Sequence, residues 1–361
     1  MTDIRTEARA DIKSMFPAEL TDFVTGLGEP KFRAKQLYEW IHRKHAASFE
    51  DMTNLPKQLR EKLSDRAFLC VLQPVTVQVS KLDGTRKYLF RLPDGNCIES
   101  VFMRYHHGNS VCISSQAGCR MGCRFCASTI GGLSRSLTAG EMLDQIYRIT
   151  EETGERVSNV VIMGSGEPMD NYDNCVRFIR MLSGEEGMNL SQRNITVSTC
   201  GLVPQMRRFA EEGLQVTLAL SLHAADDETR KQLMPVANSY TIAEALDACA
   251  YYFEKTGRRV SYEYSLVAGV NDTPEEAEKL IRLLRHRNGH VNLIPVNPVT
   301  ERNYRESAPA AVQRFKNQLE KSGINVTIRR EMGRDIDGAC GQLRRRYAEK
   351  SESADPGETV E

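Results

Sequence analysis

Three cysteines fall within one short stretch, Cys119-Arg-Met-Gly-Cys123-Arg-Phe-Cys126. Thiolates at this spacing can hold three irons of a four-iron cluster, and such clusters ordinarily take four cysteine ligands. No fourth cysteine stands in the stretch, so one iron is left open to another ligand. An open metal position marks a site that does chemistry, as it does in zinc enzymes. The competing reading is a structural zinc site completed by His106 or His107. Zinc ligands usually come as two short Cys/His couples, a pattern this stretch lacks. Upstream, Cys112 sits in a strand-like run from Ser110 to Gln116, which places the triplet in the loop where that strand ends.

The elements that would position this loop follow a regular alternation. Strands are read at 110–116, 159–163, 194–199, 216–222, 259–266 and 291–296. Helical patterns lie near 172–182, 203–212, 241–256, 274–286 and 308–321. Another helix opens at Thr138-Ala-Gly-Glu141, a capping box ahead of Met142, Leu143, Ile146 and Ile149. Six βα units in series imply a parallel sheet, either open and doubly wound or an incomplete barrel. Polar motifs recur where strands end: Gly164-Ser-Gly-Glu-Pro168, Ser198-Thr-Cys-Gly201, Ser221-Leu-His223 and Asn297-Pro298. Active sites of βα barrels gather at the C-terminal ends of the strands. Turn chemistry accounts for any one of these motifs, but less easily for all of them beside a cysteine triplet.

Residues 1–75 are expected to form a helical accessory domain. Its basic residues (Lys31, Arg33, Lys35, Arg43, Lys44, Lys57, Arg60, Lys62) suit either a solvated face or RNA docking. Residues 76–109 carry two Asp-Gly turns between strand-like runs and read as a β-hairpin extension. Residues 110–346 form the barrel and its C-terminal segment, and 347–361 read as a disordered tail. Lys and Arg (48) balance Asp and Glu (48) in the 361-residue chain, so an RNA partner would have to be met by local basic patches. No apolar run approaches the ~20 residues of a membrane span, and the N-terminus lacks a signal-peptide core. A cytoplasmic protein is expected. Its ten cysteines then point to metal or redox chemistry rather than a disulfide framework.

The cysteine triplet with Gly-Glu-Pro after the next strand resembles the radical S-adenosylmethionine enzymes. The finer resemblance is to the ribosomal RNA adenine methyltransferases of that superfamily, RlmN branch. It is carried by Cys112–Cys119, Leu137–Glu141, Met163–Pro168, Ser221–Ala224, Asn292–Pro298 and Asp335–Leu343, and it runs from about Phe32 to Leu343. It implies a partial six-stranded βα barrel with a helical N-terminal extension. It also implies methylation of carbon 2 of an adenine in 23S rRNA and in certain tRNAs.

By this resemblance Cys119, Cys123 and Cys126 ligate a [4Fe–4S] cluster. Gly166, Glu167, Ser198, Ser221, Leu222, His223 and Asn297 contact S-adenosylmethionine, of which two are used per turnover. Cys200 departs from the serine expected there. Cys340 would carry the methyl group and form a transient adduct with RNA. Cys112 would release that adduct by pairing with Cys340 in a disulfide, and Glu99 would accept a proton. An isolated cysteine is otherwise a small buried hydrophobe, and Glu99 otherwise an exposed strand residue. Carbon 2 of adenine is not nucleophilic, which gives a radical route its chemical reason. RNA contacts would come from the N-terminal helices, Arg344-Arg-Arg346 and the loop Thr300–Arg305. An electron-donating reductase or a flavodoxin- or ferredoxin-type protein is the expected partner of a monomeric enzyme. Two alternatives stay open: a sister activity that methylates carbon 8 of the same adenine and confers antibiotic resistance, and a non-enzymatic RNA-binding protein with a structural metal site.

Overall fold

The computed structural model describes residues 9–297, 302–336 and 341–353. Cys340, Pro298, Thr300 and the tail from 354 lie outside the described residues.

One ten-stranded sheet organises the described chain, and its strands lie side by side in sequence order from Gln73–Val79 at one edge to Val326–Ile328 at the other. The sheet changes character at Gly108–Ile113. On one side the strands Gln73–Val79, Arg86–Arg91 and Cys97–Tyr105 pair antiparallel, and Cys97–Tyr105 pairs antiparallel with Gly108–Ile113. On the other side Val157–Ile162, Ile195–Thr199, Thr217–Ser221, Val260–Leu266, Gly289–Pro295 and Val326–Ile328 continue in parallel. Parallel neighbours need crossovers, and the helices Ala139–Thr153, Tyr172–Ser183, Val203–Ala210, Ile242–Thr256, Pro274–Leu284 and Pro309–Lys321 supply them. This is the partial βα barrel expected from the alternation. The extension is larger than one hairpin, because Gln73–Val79 adds a third strand and all three belong to the barrel's own sheet.

The capping box at Thr138 closes as read. Thr138 Oγ1 accepts the Glu141 amide at 3.2 Å while the Glu141 carboxylate accepts the Thr138 amide at 2.9 Å. Thr241 and Glu244 repeat the arrangement. The run 110–116 is not one strand. Ser114 leaves the sheet because the Gln145 side chain binds its amide at 2.8 Å and its carbonyl at 2.9 Å. Gln116–Gly118 then pairs with Leu133–Ser136 in a separate two-stranded ribbon, which brackets the cysteine loop.

The N-terminal helices Pro17–Gly26, Phe32–His42 and Lys57–Arg66 close over a core of their own, including Leu20, Leu37, Ile41, Met52, Leu59 and Leu63. Phe32, at the start of the second of these helices, is 57% exposed. This module meets the barrel at the helix that follows the cysteine loop. The Lys13 ammonium is fully buried and reaches the Asp144 carboxylate at 2.5 Å and the Cys70 carbonyl. His42 Nδ1 lies 2.8 Å from the Tyr147 hydroxyl. Among the described residues no helix is long and apolar enough to cross a membrane.

Candidate active site

The parallel strands deliver their C-terminal ends to one cavity of about 240 Å³. Cys119, Cys123 and Cys126 line it together with Gly166, Glu167, Ser198, Ser221, His223 and Asn297. Of the cofactor contacts expected from the sequence, Leu222 does not reach the cavity. It is buried in the main core between two residues that do.

Each wall residue has an identifiable support. Gly166 adopts φ +107°, and a Cβ there would stand 2.7 Å from the Gln116 amide nitrogen, so only glycine fits. Glu167 is buried. One carboxylate oxygen accepts the Met169 amide at 3.0 Å and the other the Cys200 amide at 2.8 Å. Burial raises its pKa against those hydrogen bonds. Ser198 and Ser221 face each other across adjacent strands, their hydroxyls 3.5 Å apart. His223 sits in the left-handed region at φ +55°, an unusual conformation that is found where surroundings over-determine it. Here the Ser265 amide donates to Nδ1 at 2.9 Å and the Asn271 side chain donates to the His223 carbonyl at 2.8 Å. Burial holds this imidazole near a pKa of about 3. It is therefore neutral, with Nε2 left as its donor, and its ring meets Phe125 edge-on at 5.0 Å.

The donor set fits an iron–sulfur cluster. Three thiols line one cavity, and burial pushes Cys119 up to about 12 and Cys123 higher. Cys119 and Cys123 stay protonated until a metal displaces the protons. His106 and His107 lie in the turn before Gly108–Ile113, while the cysteine loop follows that strand's other end. Six residues of strand span about 20 Å, so neither histidine completes a zinc site.

Cys112 is buried on the neighbouring face. It packs with Val101 and Met103 and, from the C-terminal segment, Met332. It lines a second cavity of about 280 Å³ with Gly333, Ile336 and Gln342. That segment is clasped on both sides of the undescribed residues 337–340. Before them, Ser80 Oγ donates to Asp335 at 2.5 Å, the Lys81 amide donates to Asp335 at 2.8 Å, and Asp83 accepts the Gly333 amide at 2.9 Å. After them, Glu99 accepts the amides of Gly341 and Arg344, each at 2.6 Å. The same carboxylate pairs at 3.0 Å with the fully buried ammonium of Lys87. Gly341 also packs on the cluster loop, where a Cβ would stand 2.6 Å from the Ser128 amide. Lys87 was missed in the sequence; the only available signal was a lysine among the apolar residues of Arg86–Arg91.

The expected RNA-facing cations divide. Arg43 is taken up by the Glu185 and Glu186 carbonyls, and Arg60 and Lys62 by Glu50 and Glu29. Lys31 and Lys35 stay exposed beside Phe32, with the Arg33 guanidinium 4.8 Å over that ring.

Sequence comparison agrees with this geometry. Residues 113–295 match the radical SAM superfamily, and residues 10–69 match the ribosomal RNA large subunit methyltransferase N-terminal domain. The chain is 63% identical over 347 residues to a probable dual-specificity RNA methyltransferase RlmN from Lachnospira eligens, covering 96% of this chain and 99% of that one. It is 56% identical over 345 residues to the protein of the same name from Symbiobacterium thermophilum, covering 95% and 93%. The crystal structure of a radical SAM methyltransferase from Sphaerobacter thermophilus superposes with a TM-score of 0.88 at 45% identity, covering 92% of this chain and 98% of that one. The chain belongs to the radical SAM superfamily and, within it, to the RlmN family. Membership of the superfamily brings a [4Fe–4S] cluster and S-adenosylmethionine as cofactors.

Proposed function

We propose that this chain is a dual-specificity RNA methyltransferase that methylates carbon 2 of an adenine in 23S rRNA and in certain tRNAs. The observation that carries the reading is the meeting of two distant segments. Gly341, next to Cys340 in the chain, packs against Ser128, two residues beyond Cys126.

Cys119, Cys123 and Cys126 would hold the cluster, and Gly166, Glu167, Ser198, Ser221, His223 and Asn297 would orient S-adenosylmethionine in the shared cavity. Together these cofactors supply an electron and a 5′-deoxyadenosyl radical, the kind of chemistry a protein positions rather than performs. Cys340 would carry the methyl group to the adenine through a covalent adduct. Cys112 would then release the product by closing a disulfide with Cys340, a relative of thiol–disulfide exchange. Its burial against Met332 supports that assignment. Glu99 would accept the proton. Its oxygens are engaged by Lys87, Gly341 and Arg344, so it becomes a base only as that clasp loosens. The target base must leave its stack to reach a site this enclosed, with Lys31 and Lys35 among the phosphate contacts. A small electron-transfer protein or reductase would deliver electrons to a monomer in the cytoplasm.

Mass spectrometry of nucleosides from treated 23S rRNA and tRNA tests the reading. 2-Methyladenosine in both is expected. 8-Methyladenosine as the main product would assign the chain to carbon-8 chemistry, and no methylated adenine with zinc in place of iron would remove the enzymatic reading.

A further inference from the structure

Arg230 is the largest wholly buried side chain among the described residues, and no carboxylate there lies within ion-pair distance of it. It stands in Asp227–Leu233, a short helix that the sequence reading did not register. Its guanidinium spends its donors on carbonyls. Nη2 donates to Cys200 at 2.7 Å and Ser221 at 3.3 Å, Nε donates to Leu222 at 3.1 Å, and Nη1 donates to Tyr240 at 3.4 Å. Three of those carbonyls belong to the strand ends that shape the cofactor cavity. The same helix braces the cysteine loop, where the Leu233 carbonyl accepts the amide of Arg124 at 2.9 Å. Leu233 and Met234 pack with Cys200 and Cys123 in one small apolar cluster.

Carbonyl dipoles solvate a guanidinium but leave its full charge. A buried cation without an anion is costly and is retained where something else compensates it. Burial draws the Arg230 pKa down, and the groups that oppose this are first the thiols of Cys200 and Cys123 and then Asp227. Its bond to the Cys200 carbonyl places the guanidinium against the small cluster that also holds Cys123, on the thiol side of the cavity. Three thiolates on a four-iron core give a net anionic group, and each added electron deepens the charge. Potentials of such clusters follow the net charge and polar surroundings.

We infer that Arg230 is a positioning residue and built-in counter-ion for the cluster, holding the cofactor-side strand ends through their carbonyls and favouring the reduced cluster by its charge. The inference rests on the cluster reading above. Iron and sulfide analysis of the reconstituted wild-type holoprotein therefore comes first, and absence of a [4Fe–4S] centre there would sink that reading itself.

With the centre present, a redox titration monitored by electron paramagnetic resonance reads the midpoint potential. Arg230→Met should shift it downward and weaken S-adenosylmethionine binding at least tenfold. Arg230→Lys should keep the potential near wild type at neutral pH. Because a buried lysine deprotonates where arginine does not, its midpoint should then fall with rising pH while the wild-type midpoint does not follow. An unshifted midpoint in Arg230→Met overturns the inference. If that variant fails to take up the cluster, the lysine variant decides alone, and a pH profile parallel to wild type overturns it.

Discussion

Two seams of the molecule are closed by the same device, a buried lysine paired with a carboxylate that also accepts backbone amides. At the N-terminal seam Lys13 meets Asp144, whose second oxygen accepts the Leu72 amide at 2.7 Å. At the C-terminal seam Lys87 meets Glu99, which accepts Gly341 and Arg344. What surrounds the pairs differs. The first lies beside an apolar module, with His45 stacked on Tyr147 at 4.3 Å. The second holds a segment whose other anchors, Asp335 and Asp83, are polar and near solvent. Breaking a buried pair is expensive wherever it occurs, but the apolar cluster beside the second seam is much the smaller. The first is built to stay shut. The second holds residues 333–335 and 341–344 by separate polar bonds to Ser80, Lys81, Asp83 and Glu99.

Asp144→Ala should break the comparison most severely. It strands the Lys13 charge and should lower stability by about 3–5 kcal/mol, read as a fall in thermal midpoint. A fall below 1 kcal/mol would mean the N-terminal seam is held by its apolar contacts alone. Glu99→Gln keeps one amide acceptor but removes the carboxylate charge that faces Lys87, a loss of about 2–3 kcal/mol. Amide hydrogen exchange at Gly341 and Arg344 should accelerate while Leu72 stays protected. Equal acceleration at Leu72 would show that the seams are one cooperative unit.

Acid should separate the seams. Burial lowers His42 from 6.5 to about 3 and His45 to about 4. Below pH 6.5 the unfolded chain takes up protons that these native side chains refuse. Stability therefore falls as pH drops toward 4, by up to about 1.4 kcal/mol per unit for His42. Asp83 loses its contribution in the same direction but in a lower pH window. Burial raises its pKa, but the bonds from Gly333 and Thr85 outweigh this and set it at about 2. Its contribution is complete above 3.8 and is lost only as pH falls through about 2. Between pH 6 and 4 protease sensitivity should appear in residues 10–69 before residues 329–336; the reverse order would contradict the assignment. The smallest effect is expected from Asp335→Asn. The thermal midpoint should barely move, and cleavage near Arg329–Arg334 should rise modestly.

Features governed by neighbours in the chain were readable in advance. The Thr138 and Thr241 helices carry their caps within three residues, and the alternation of strands and helices from 157 to 296 shows in the local hydrophobic pattern. The convergence of strand-end motifs on one cavity followed from topology alone. Features made by distant partners were not readable. Glu99 and Gly341 are 242 residues apart, and Lys87 in Arg86–Arg91 reads as a solvent-facing charge until its partner is known. Arg230 lies among Asp, Glu, Lys and Gln in a seven-residue helix and reads as surface. The strand 110–116 was drawn too long because Gln145, a helix residue, replaces the ladder at Ser114.

The clasp on Gly333 joins residues 250 positions apart, which has a consequence for how the protein is made. A chain leaving the ribosome presents the turn 80–85 some 250 residues before its partner. The three thiols of the cysteine loop likewise emerge before residues 333–336 and 341–344 can pack beside them. Long-range contacts of this kind form late and slowly. Synthesis itself thus leaves an interval in which iron and sulfide can reach the three thiols before the Asp83 and Glu99 clasps close.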